Sequence, residues 1–456
     1  MTKTLSRSRA VLLAVGLVAV SGCSSAGTDV SRENPPSTTS SPSTSLSRST
    51  TSTTQHQQPF RAGPQGRIPR PERAVAQPSD TAIPRTKPAP STYAPWPSAQ
   101  HDPRHSGSAN VHGPTTGELR WERQLDGDIT PGPVVGNDNT VFQPTNSGKL
   151  YAIDTKTGED RWVLDAGSGY GNDLSTSPLI LPSGVVVWPG PGSALWGVSP
   201  LDGAVLWKIQ SSAMFTSPTL VENRVYVNDT SGVLHAIDVD GSGATAIERW
   251  TTSTGSTSWG SVAVAPNGHL VVTADQSVYV IQDEGRRGSV LWQHDVGTLL
   301  EVSAAVAPDG SIVTGGNNQW SWVFSGDGTR ARKVNREDMS YSSPIVTETG
   351  IALQGNHFGA VVGFDVAQDS YRFLGRRILE GRRSIGVWTA PVVDVDYHVY
   401  FGTRTGVVVG FNWAGEQLFE VDAGSDASFH SYPALTSDGA LIVGDTNGVL
   451  RAIADA

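Results

Sequence analysis

The sequence of 456 residues has a single cysteine, Cys23, and few charged residues, which make up 17% of the chain. One thiol cannot form an intramolecular disulfide, so packing must stabilise the fold, and chemistry that needs two cysteines is excluded. The low charge comes with 50 Gly and 29 Pro, residues that interrupt helices and mark turns between strands. The composition therefore predicts an all-β protein.

Most of the chain also lacks an excess of basic residues over acidic ones. Residues 1–94 hold 11 Lys and Arg against 4 Asp and Glu, and residues 95–456 hold 22 against 39, a balance of −17. Proteins that bind nucleic acid neutralise phosphates with Lys and Arg, whereas an acidic body repels them. Nucleic acid is therefore not an expected partner.

Near the N-terminus lies an apolar run, Ala10–Val20, that is shorter than the roughly 20 residues needed to span a bilayer. It follows a positively charged start and ends just before Ser21-Gly22-Cys23. This order predicts a signal peptide over residues 1–22. The end of the run resembles the lipobox of bacterial lipoproteins, which implies lipidation of Cys23 and an extracytoplasmic protein anchored to the bacterial membrane. The alternative is an ordinary secretory signal with an incidental cysteine.

Residues 23–94 contain few large apolar side chains and are dominated by Ser, Thr, Pro, Gln and Arg. Ordering such a segment could not offset its conformational entropy, so we expect a disordered tether after the lipidated cysteine. A folded domain is expected over residues 95–456.

That region contains an internal repeat. The pattern Gly-x-Leu-x-Ala-x-Asp, then Gly and Trp, occurs at residues 148–162 and again at residues 232–250. Weaker copies share the outline, and the equivalent positions lie 39 to 47 residues apart, at Ala152, Gly197, Ala236, Val280, Val323, Gly363, Gly410 and Ala452. A period of this size is typical of one four-stranded propeller blade.

These motifs resemble the PQQ-like propeller family, which includes BamB-like lipoproteins and quinone-dependent alcohol dehydrogenases. The segment Trp96–Gly107 is similar to the lead-in that precedes such propellers. The resemblance implies an eight-bladed β-propeller. Trp121 stands where an outer strand is expected but has no blade before it, and the last copy ends at Ala456. We therefore predict that N-terminal and C-terminal strands share the closing blade, which leaves no long free edge.

The sequence offers little support for catalysis. The quinone-dependent relatives are expected to carry adjacent cysteines beside the cofactor, and Cys23 precedes the propeller, so we expect no quinone and no other cofactor. A calcium loop starting at Asp238 would need Glu at its twelfth position, where Arg249 stands, so no metal site is predicted there. His235, His269 and His294 are interpreted as surface residues. A catalytic set assembled across blades would escape this reasoning.

A candidate binding mouth follows from aligning the blades on a proline-like position in each innermost strand. Three residues upstream lie Thr130, Ser175, Phe215, Trp259, Ser303, Tyr341, Trp388 and His430. Loops between second and third strands add His357, Phe358, Arg404, Asp445 and Asn447 on the same face. Aromatic side chains around a pocket suit sugar stacking or a protein contact. The alternative is that they simply plug the channel.

Two functions remain open. The first is a non-catalytic scaffold of the cell envelope, a monomer whose propeller engages another protein or a cell-wall component. The second is an enzyme or carbohydrate-binding protein that acts at the propeller mouth.

Overall fold

The computed structural model describes residues 93–167, 176–368, 371–374 and 386–456, which form eight antiparallel sheets of four strands each. The fold is an eight-bladed β-propeller, as predicted. Blades one to four, each from its innermost strand outward, contain β2–β5 (Val134–Val135, Thr140–Pro144, Lys149–Asp154, Asp160–Asp165), β6–β9 (Leu179–Ile180, Val186–Gly190, Ala194–Val198, Val205–Gln210), β10–β13 (Thr219–Val221, Arg224–Asn228, Val233–Val239, Ala246–Ser253) and β14–β17 (Ala263–Val264, Leu270–Ala274, Ser277–Asp283, Gly288–Asp295).

Blades five to eight continue in the same way, and the last one takes its outermost strand from the beginning of the propeller. They contain β18–β21 (Ala305–Val306, Ile312–Gly315, Trp320–Phe324, Ala331–Asn335), β22–β25 (Ile345–Val346, Ile351–Gly355, Val361–Asp365, Tyr371–Leu374), β26–β29 (Val392–Val393, Val399–Gly402, Val407–Phe411, Gln417–Asp422) and β30–β32 with β1 (Ala434–Leu435, Leu441–Gly444, Val449–Ala454, Glu118–Gln124).

Blade eight confirms the predicted closure. Strand β1 pairs antiparallel with β32, so that Trp121 lies opposite Ala452. The Trp121 indole Nε1 donates a hydrogen bond of 2.8 Å to the Thr155 carbonyl of blade one. The ring is therefore closed by strand pairing and by a side-chain contact to the next blade.

The Gly and Trp of the repeat have a common structural role. The outer-strand indoles of Trp162, Trp207 and Trp292 donate to the Pro200, Gly243 and Gly326 carbonyls of the following blade, at 2.8 to 3.1 Å. Glycines in those turns make room for the rings: a Cβ on Gly158 would lie 2.9 Å from Trp121, and one on Gly328 would lie 2.7 Å from Trp292. Blades eight, one, two and four are thus fastened to the blades that follow them.

The lead-in segment runs around one end of the central channel. Its carbonyls accept hydrogen bonds from the second residue of the innermost strand in blades one, two, four, five, six and seven, namely from Val135, Ile180, Val264, Val306, Val346 and Val393, at 2.7 to 3.3 Å. The innermost strand of a blade is an edge with no neighbouring strand on the channel side. The lead-in pairs these exposed N–H groups and closes this end, which we call the plugged end.

The predicted signal peptide, Cys23 and nearly all of the tether lie outside the described residues. Within the described ranges, the structure has no helix long and apolar enough to cross a membrane.

Candidate functional site

The chain enters each innermost strand from the end opposite to the plugged end, and we call that end the mouth. A cavity of about 300 Å³ lies there. Of the predicted mouth residues, it is lined by Trp259, Ser303, Tyr341, Trp388 and His430. Ser175 lies outside the described residues. The cavity is therefore built from residues of several blades, which range along the chain from Thr176 to Tyr432.

Blade five corrects the alignment on which the predicted mouth was based. Its innermost strand begins at Ala305, so the residue equivalent to Trp259 and Tyr341 is Glu301 and not Ser303. Glu301 is exposed, lines the cavity and accepts a hydrogen bond of 2.9 Å from Asn317. Blade five, like blade four, has no proline at the aligned position, so its register was not marked locally, and the alignment on Val306 instead of Ala304 shifted it by two residues.

Ser303 belongs to a second layer, one step deeper in the channel. The Ser177, Ser261 and Ser303 backbone N–H groups donate to the Ser217, Ser303 and Ser343 hydroxyls of the next blade, at 2.7 to 3.1 Å. Blade eight has Tyr432 at this level, and its hydroxyl lies 3.2 Å from that of Ser343. These hydroxyls form a polar layer beneath the aromatic mouth in six of the eight blades, a feature indicated in the sequence only by a serine recurring before the strand.

Aromatic side chains from blades six, seven and eight form one wall of the cavity. The Trp388 ring centroid lies 5.0 Å from that of Tyr341 and 4.9 Å from that of His430. His357 stacks on Trp388 with an angle of 15° between the rings and accepts a hydrogen bond of 2.8 Å from the Trp388 indole at Nε2. The predicted loop residue His357 thus orients the central tryptophan.

Charge at this wall favours a neutral His357. Burial lowers the pKa of His357, and the nearby Arg404 lowers it further, against the opposing effect of Asp338. A neutral imidazole can accept at Nε2, which agrees with the hydrogen bond from Trp388. The Arg404 guanidinium lies 4.0 Å from the Trp388 ring centroid, in cation–π distance.

The opposite side of the mouth carries Trp259, which is 42% exposed. A tryptophan this exposed at a cavity rim gains little from core packing and remains able to contact a ligand. The cavity therefore has an aromatic wall from blades six to eight on one side and the solvent-accessible Trp259 indole of blade four on the other. The Glu301 carboxylate comes from blade five, between them.

Several of the predicted mouth residues do not line the cavity, among them Phe215, Asp445 and Phe358. Phe215 is only 2% exposed and packs against His235, with ring centroids 5.0 Å apart. His235 was predicted to be a surface residue but is buried. Both of its ring nitrogens have carboxylate partners: Nδ1 lies 2.6 Å from Glu248 and Nε2 lies 3.3 Å from Asp229. Asp445 is fully buried in an ion pair of 2.6 Å with Arg451. Phe358 is 67% exposed and projects outside the cavity lining.

The residues at the mouth do not fit a quinone cofactor. Pyrroloquinoline quinone is a tricarboxylate and needs cationic partners, whereas the carboxylate of Glu301 is the charged group among the described residues that line this cavity. Arg404 is a neighbour of the wall, but its guanidinium already lies over Trp388. We therefore derive no chemical step through a quinone.

Comparison with known proteins places these features in context. A family model described as outer membrane protein assembly factor BamB matches residues 105–285. BamB of Escherichia coli is 28% identical over 170 residues, which cover 36% of this chain and 40% of BamB. Quinoprotein alcohol dehydrogenase PedE of Pseudomonas putida is 32% identical over 99 residues, which cover 20% of this chain and 15% of that enzyme. The chain thus spans less than half of either relative.

Solved structures share the architecture. BamB from Moraxella catarrhalis superposes with a TM-score of 0.58 at 13% identity, over 74% of this chain and 99% of that one. Quinohemoprotein alcohol dehydrogenase from Comamonas testosteroni gives 0.60 at 12% identity, over 82% of each chain. At these identities the structural likeness concerns the fold alone, and a propeller of this kind hosts unrelated functions.

Proposed function

The chain is a β-propeller of PQQ-like repeats, and from this premise we propose that it is a non-catalytic binding module of the cell envelope whose mouth engages a protein partner. The partial similarity to an outer membrane protein assembly factor supports a scaffold role. The observation that carries the proposal is the aromatic cavity at the mouth, because large aromatic side chains around a concave site dominate the energetics of protein contacts.

The chemistry of the cavity favours a basic side chain on the partner. Trp259 and Tyr341 offer electron-rich ring faces, and Glu301 adds a carboxylate, whereas Trp388 already holds the Arg404 guanidinium over its ring. Aromatic faces attract ammonium and guanidinium groups, and desolvation in a cavity strengthens the attraction. The acidic body, with its balance of −17 over residues 95–456, would steer such a partner toward the propeller.

The test is the double substitution Trp259→Ala and Trp388→Ala, with crosslinking and affinity capture from envelope extract and quantitative identification of the captured proteins. We expect the variant to retain cooperative thermal unfolding and to lose its partner. Leu201→Ala is a matched control, because Leu201 is 88% exposed in a loop between third and fourth strands, on the face of the plugged end.

Equal recovery of the same partner by the double variant and by Leu201→Ala would refute binding at the mouth. Loss of cooperative unfolding in the double variant would instead support the alternative that these aromatics plug the channel.

Carbohydrate binding is a second candidate, favoured by the exposed Trp259 indole above a layer of serine hydroxyls. Sugars stack on aromatic faces while their hydroxyls pair with polar groups. Co-sedimentation with purified cell-wall polysaccharide, in the absence of any other protein, separates this candidate from a protein scaffold.

The proposed location is the extracytoplasmic face of a membrane, with a lipid anchor on Cys23. Two or more acyl chains hold a protein stably where one does not. Cys23→Ala should abolish incorporation of a labelled fatty acid and leave the precursor unprocessed or released. Normal labelling of this variant would contradict the anchor.

A further inference from the structure

A cluster of metal-ligating side chains lies at the plugged end, away from the mouth. It occupies the turn between β26 and β27 in blade seven, with the sequence Asp394-Val395-Asp396-Tyr397-His398. One ligand atom from each of Asp394, Asp396 and His398 lies within 4.8 Å of the other two. The set mixes imidazole with carboxylate, a combination that suits transition metals.

Asp394 and His398 are held rigidly in this turn. The Asp394 Oδ1 atom accepts the backbone N–H groups of Asp396 and His398, at 2.9 and 2.8 Å. Its Oδ2 atom lies 3.0 Å from the His398 Nδ1 atom and accepts hydrogen bonds from the Tyr400 hydroxyl at 3.0 Å and from the Gly113 N–H at 2.9 Å. One oxygen thus shapes the turn, and the other faces His398 and the lead-in.

A second imidazole, from the lead-in, contacts Asp396 at the edge of this cluster, although it is not among the atoms that lie within 4.8 Å of one another. The Nδ1 atom of His112 lies 2.6 Å from the Asp396 Oδ2 atom. Both neighbours of His112 are bound to this turn, since Val111 accepts from the Val395 N–H at 3.0 Å and Gly113 donates to Asp394. The backbone at His112 is therefore fixed, while the side chains of His112 and Asp396 are 75% and 45% exposed and can adjust.

Equivalent turns of other blades have different residues. They read Pro266-Asn267-Gly268, Pro308-Asp309-Gly310 and Ser437-Asp438-Gly439, where blade seven has Val395-Asp396-Tyr397. Blade four has a histidine at the position of His398, but the His269 Nδ1 atom lies 3.1 Å from the amide nitrogen of Asn267, which is a poor ligand. Blade seven departs from these turns at Asp394, where they have Ala265, Ala307 and Thr436, whereas the aspartate at the Asp396 position recurs as Asp309 and Asp438.

We propose that His112, Asp394, Asp396 and His398 form a binding site for a divalent transition metal, with Zn²⁺ as the best match. Zn²⁺ takes four nitrogen and oxygen ligands in a tetrahedron, at about 2.0–2.2 Å. The ion replaces the proton that each histidine shares with its aspartate, and the two carboxylates balance its charge. Ca²⁺ and Mg²⁺ prefer oxygen ligands throughout, so two imidazoles select against them.

A metal at this position joins the lead-in to blade seven, close to the seam of the ring. The neighbouring Asp455 carboxylate accepts hydrogen bonds from the backbone N–H groups of Thr115 and Thr116, at 2.7 and 2.8 Å. The ion therefore acts as a cross-link between the start of the propeller and its body, in a chain that has no disulfide.

The experiment uses the full-length protein, purified in detergent and stripped of metal with a chelator. Zn²⁺ is titrated by calorimetry, and Co²⁺ is used as a spectroscopic probe, since its visible absorption reports tetrahedral coordination. We expect one Zn²⁺ per chain, a tetrahedral Co²⁺ spectrum and a higher melting temperature with Zn²⁺. The variants His112→Gln and Asp396→Asn should each weaken Zn²⁺ binding at least tenfold, because both remove a direct ligand.

These two side chains are exposed, so both variants should fold as the parent does. His269→Gln is the matched control, and it should bind Zn²⁺ like the parent. Absence of Zn²⁺ binding, an octahedral Co²⁺ spectrum, or unchanged affinity in His112→Gln and Asp396→Asn would each overturn the proposal.

Discussion

The two ends of the central channel are built from the same eight innermost strands but are completed by different parts of the chain. At the plugged end, the lead-in carbonyls pair with innermost-strand N–H groups of six blades. At the mouth, the loops that enter those strands supply Trp259, Tyr341, Trp388 and Glu301 around a cavity of about 300 Å³. One end is filled by the protein itself, and the other holds the cavity.

This difference shows why two similar collections of polar and aromatic residues have different roles. In the lead-in, Trp96 is 1% exposed and His105 is buried with its Nδ1 atom 2.6 Å from the Ala304 carbonyl. Burial lowers the pKa of His105, which favours the neutral imidazole. At the mouth, Trp259 and Glu301 remain accessible. Accessibility, rather than residue type, separates structural residues from candidate binding residues.

The largest expected effect comes from removing part of the plugged end together with the closing strand. Deleting residues 108–125 removes β1 and the hydrogen bonds of Ala109 and Gly113 to blade seven. Strand β32 would become a free edge, so we expect loss of cooperative unfolding and aggregation. Differential scanning calorimetry and size-exclusion chromatography measure both effects.

Deletion of residues 24–90 is the control, because it leaves every described residue in place. Its melting temperature should match that of the parent. A soluble ring that melts cooperatively after the deletion of residues 108–125 would show that the closing strand is dispensable.

An intermediate effect is expected at Asp102, which braces the lead-in. Burial alone would raise the Asp102 pKa, but His101, Arg104 and Ser106 hold it well below its usual value. The carboxylate accepts hydrogen bonds from the Ser106 hydroxyl at 2.5 Å and the Arg104 N–H at 2.9 Å. Asp102→Asn should reduce the free energy of unfolding at neutral pH by about 1–3 kcal/mol.

The same variant makes a prediction about pH. A carboxyl with a depressed folded-state pKa contributes stability above its unfolded value, about 3.9, and loses that contribution as the pH falls through the folded value. The stability difference between the parent and Asp102→Asn should therefore stay constant from pH 7 to about pH 5 and shrink only in stronger acid. Chemical denaturation at a series of pH values measures it, and a difference that grows in acid would contradict this account.

The smallest effect is expected at Glu301, on the open end. Glu301→Gln keeps the size of the side chain but removes the charge that would attract a basic group. An exposed ion pair contributes about 0.2–1 kcal/mol, so affinity for a basic partner should fall by a few fold and become less dependent on salt. Binding measured at two salt concentrations tests this, with Glu222→Gln as the control, because Glu222 is exposed in the turn between β10 and β11 on the face of the plugged end. Equal loss in both variants would indicate a general charge effect.

Much of the fold could be predicted because each blade carries its own local signals. The recurring Gly and Trp mark the turn of one blade and the outer strand of another, and they meet in the pairs Gly158–Trp121, Gly203–Trp162, Gly288–Trp250 and Gly328–Trp292. The mouth was harder to predict, since its positions depend on the register of a two-residue strand. Blade five lacks the proline that marks this register, which put Ser303 in the place of Glu301.

The sequence by itself determined the number of blades, their order and the shared closing blade, because hydrophobic and glycine patterns repeat with the period of a four-stranded sheet. Only the tertiary structure decided which end of the channel stays open and which side chains face the cavity. The contacts that decide this, between Trp388 and His357, between the lead-in and six blades, and between His112 and Asp396, join residues from separate blades or distant segments. Such contacts depend on the curvature of the closed ring, which no local pattern encodes.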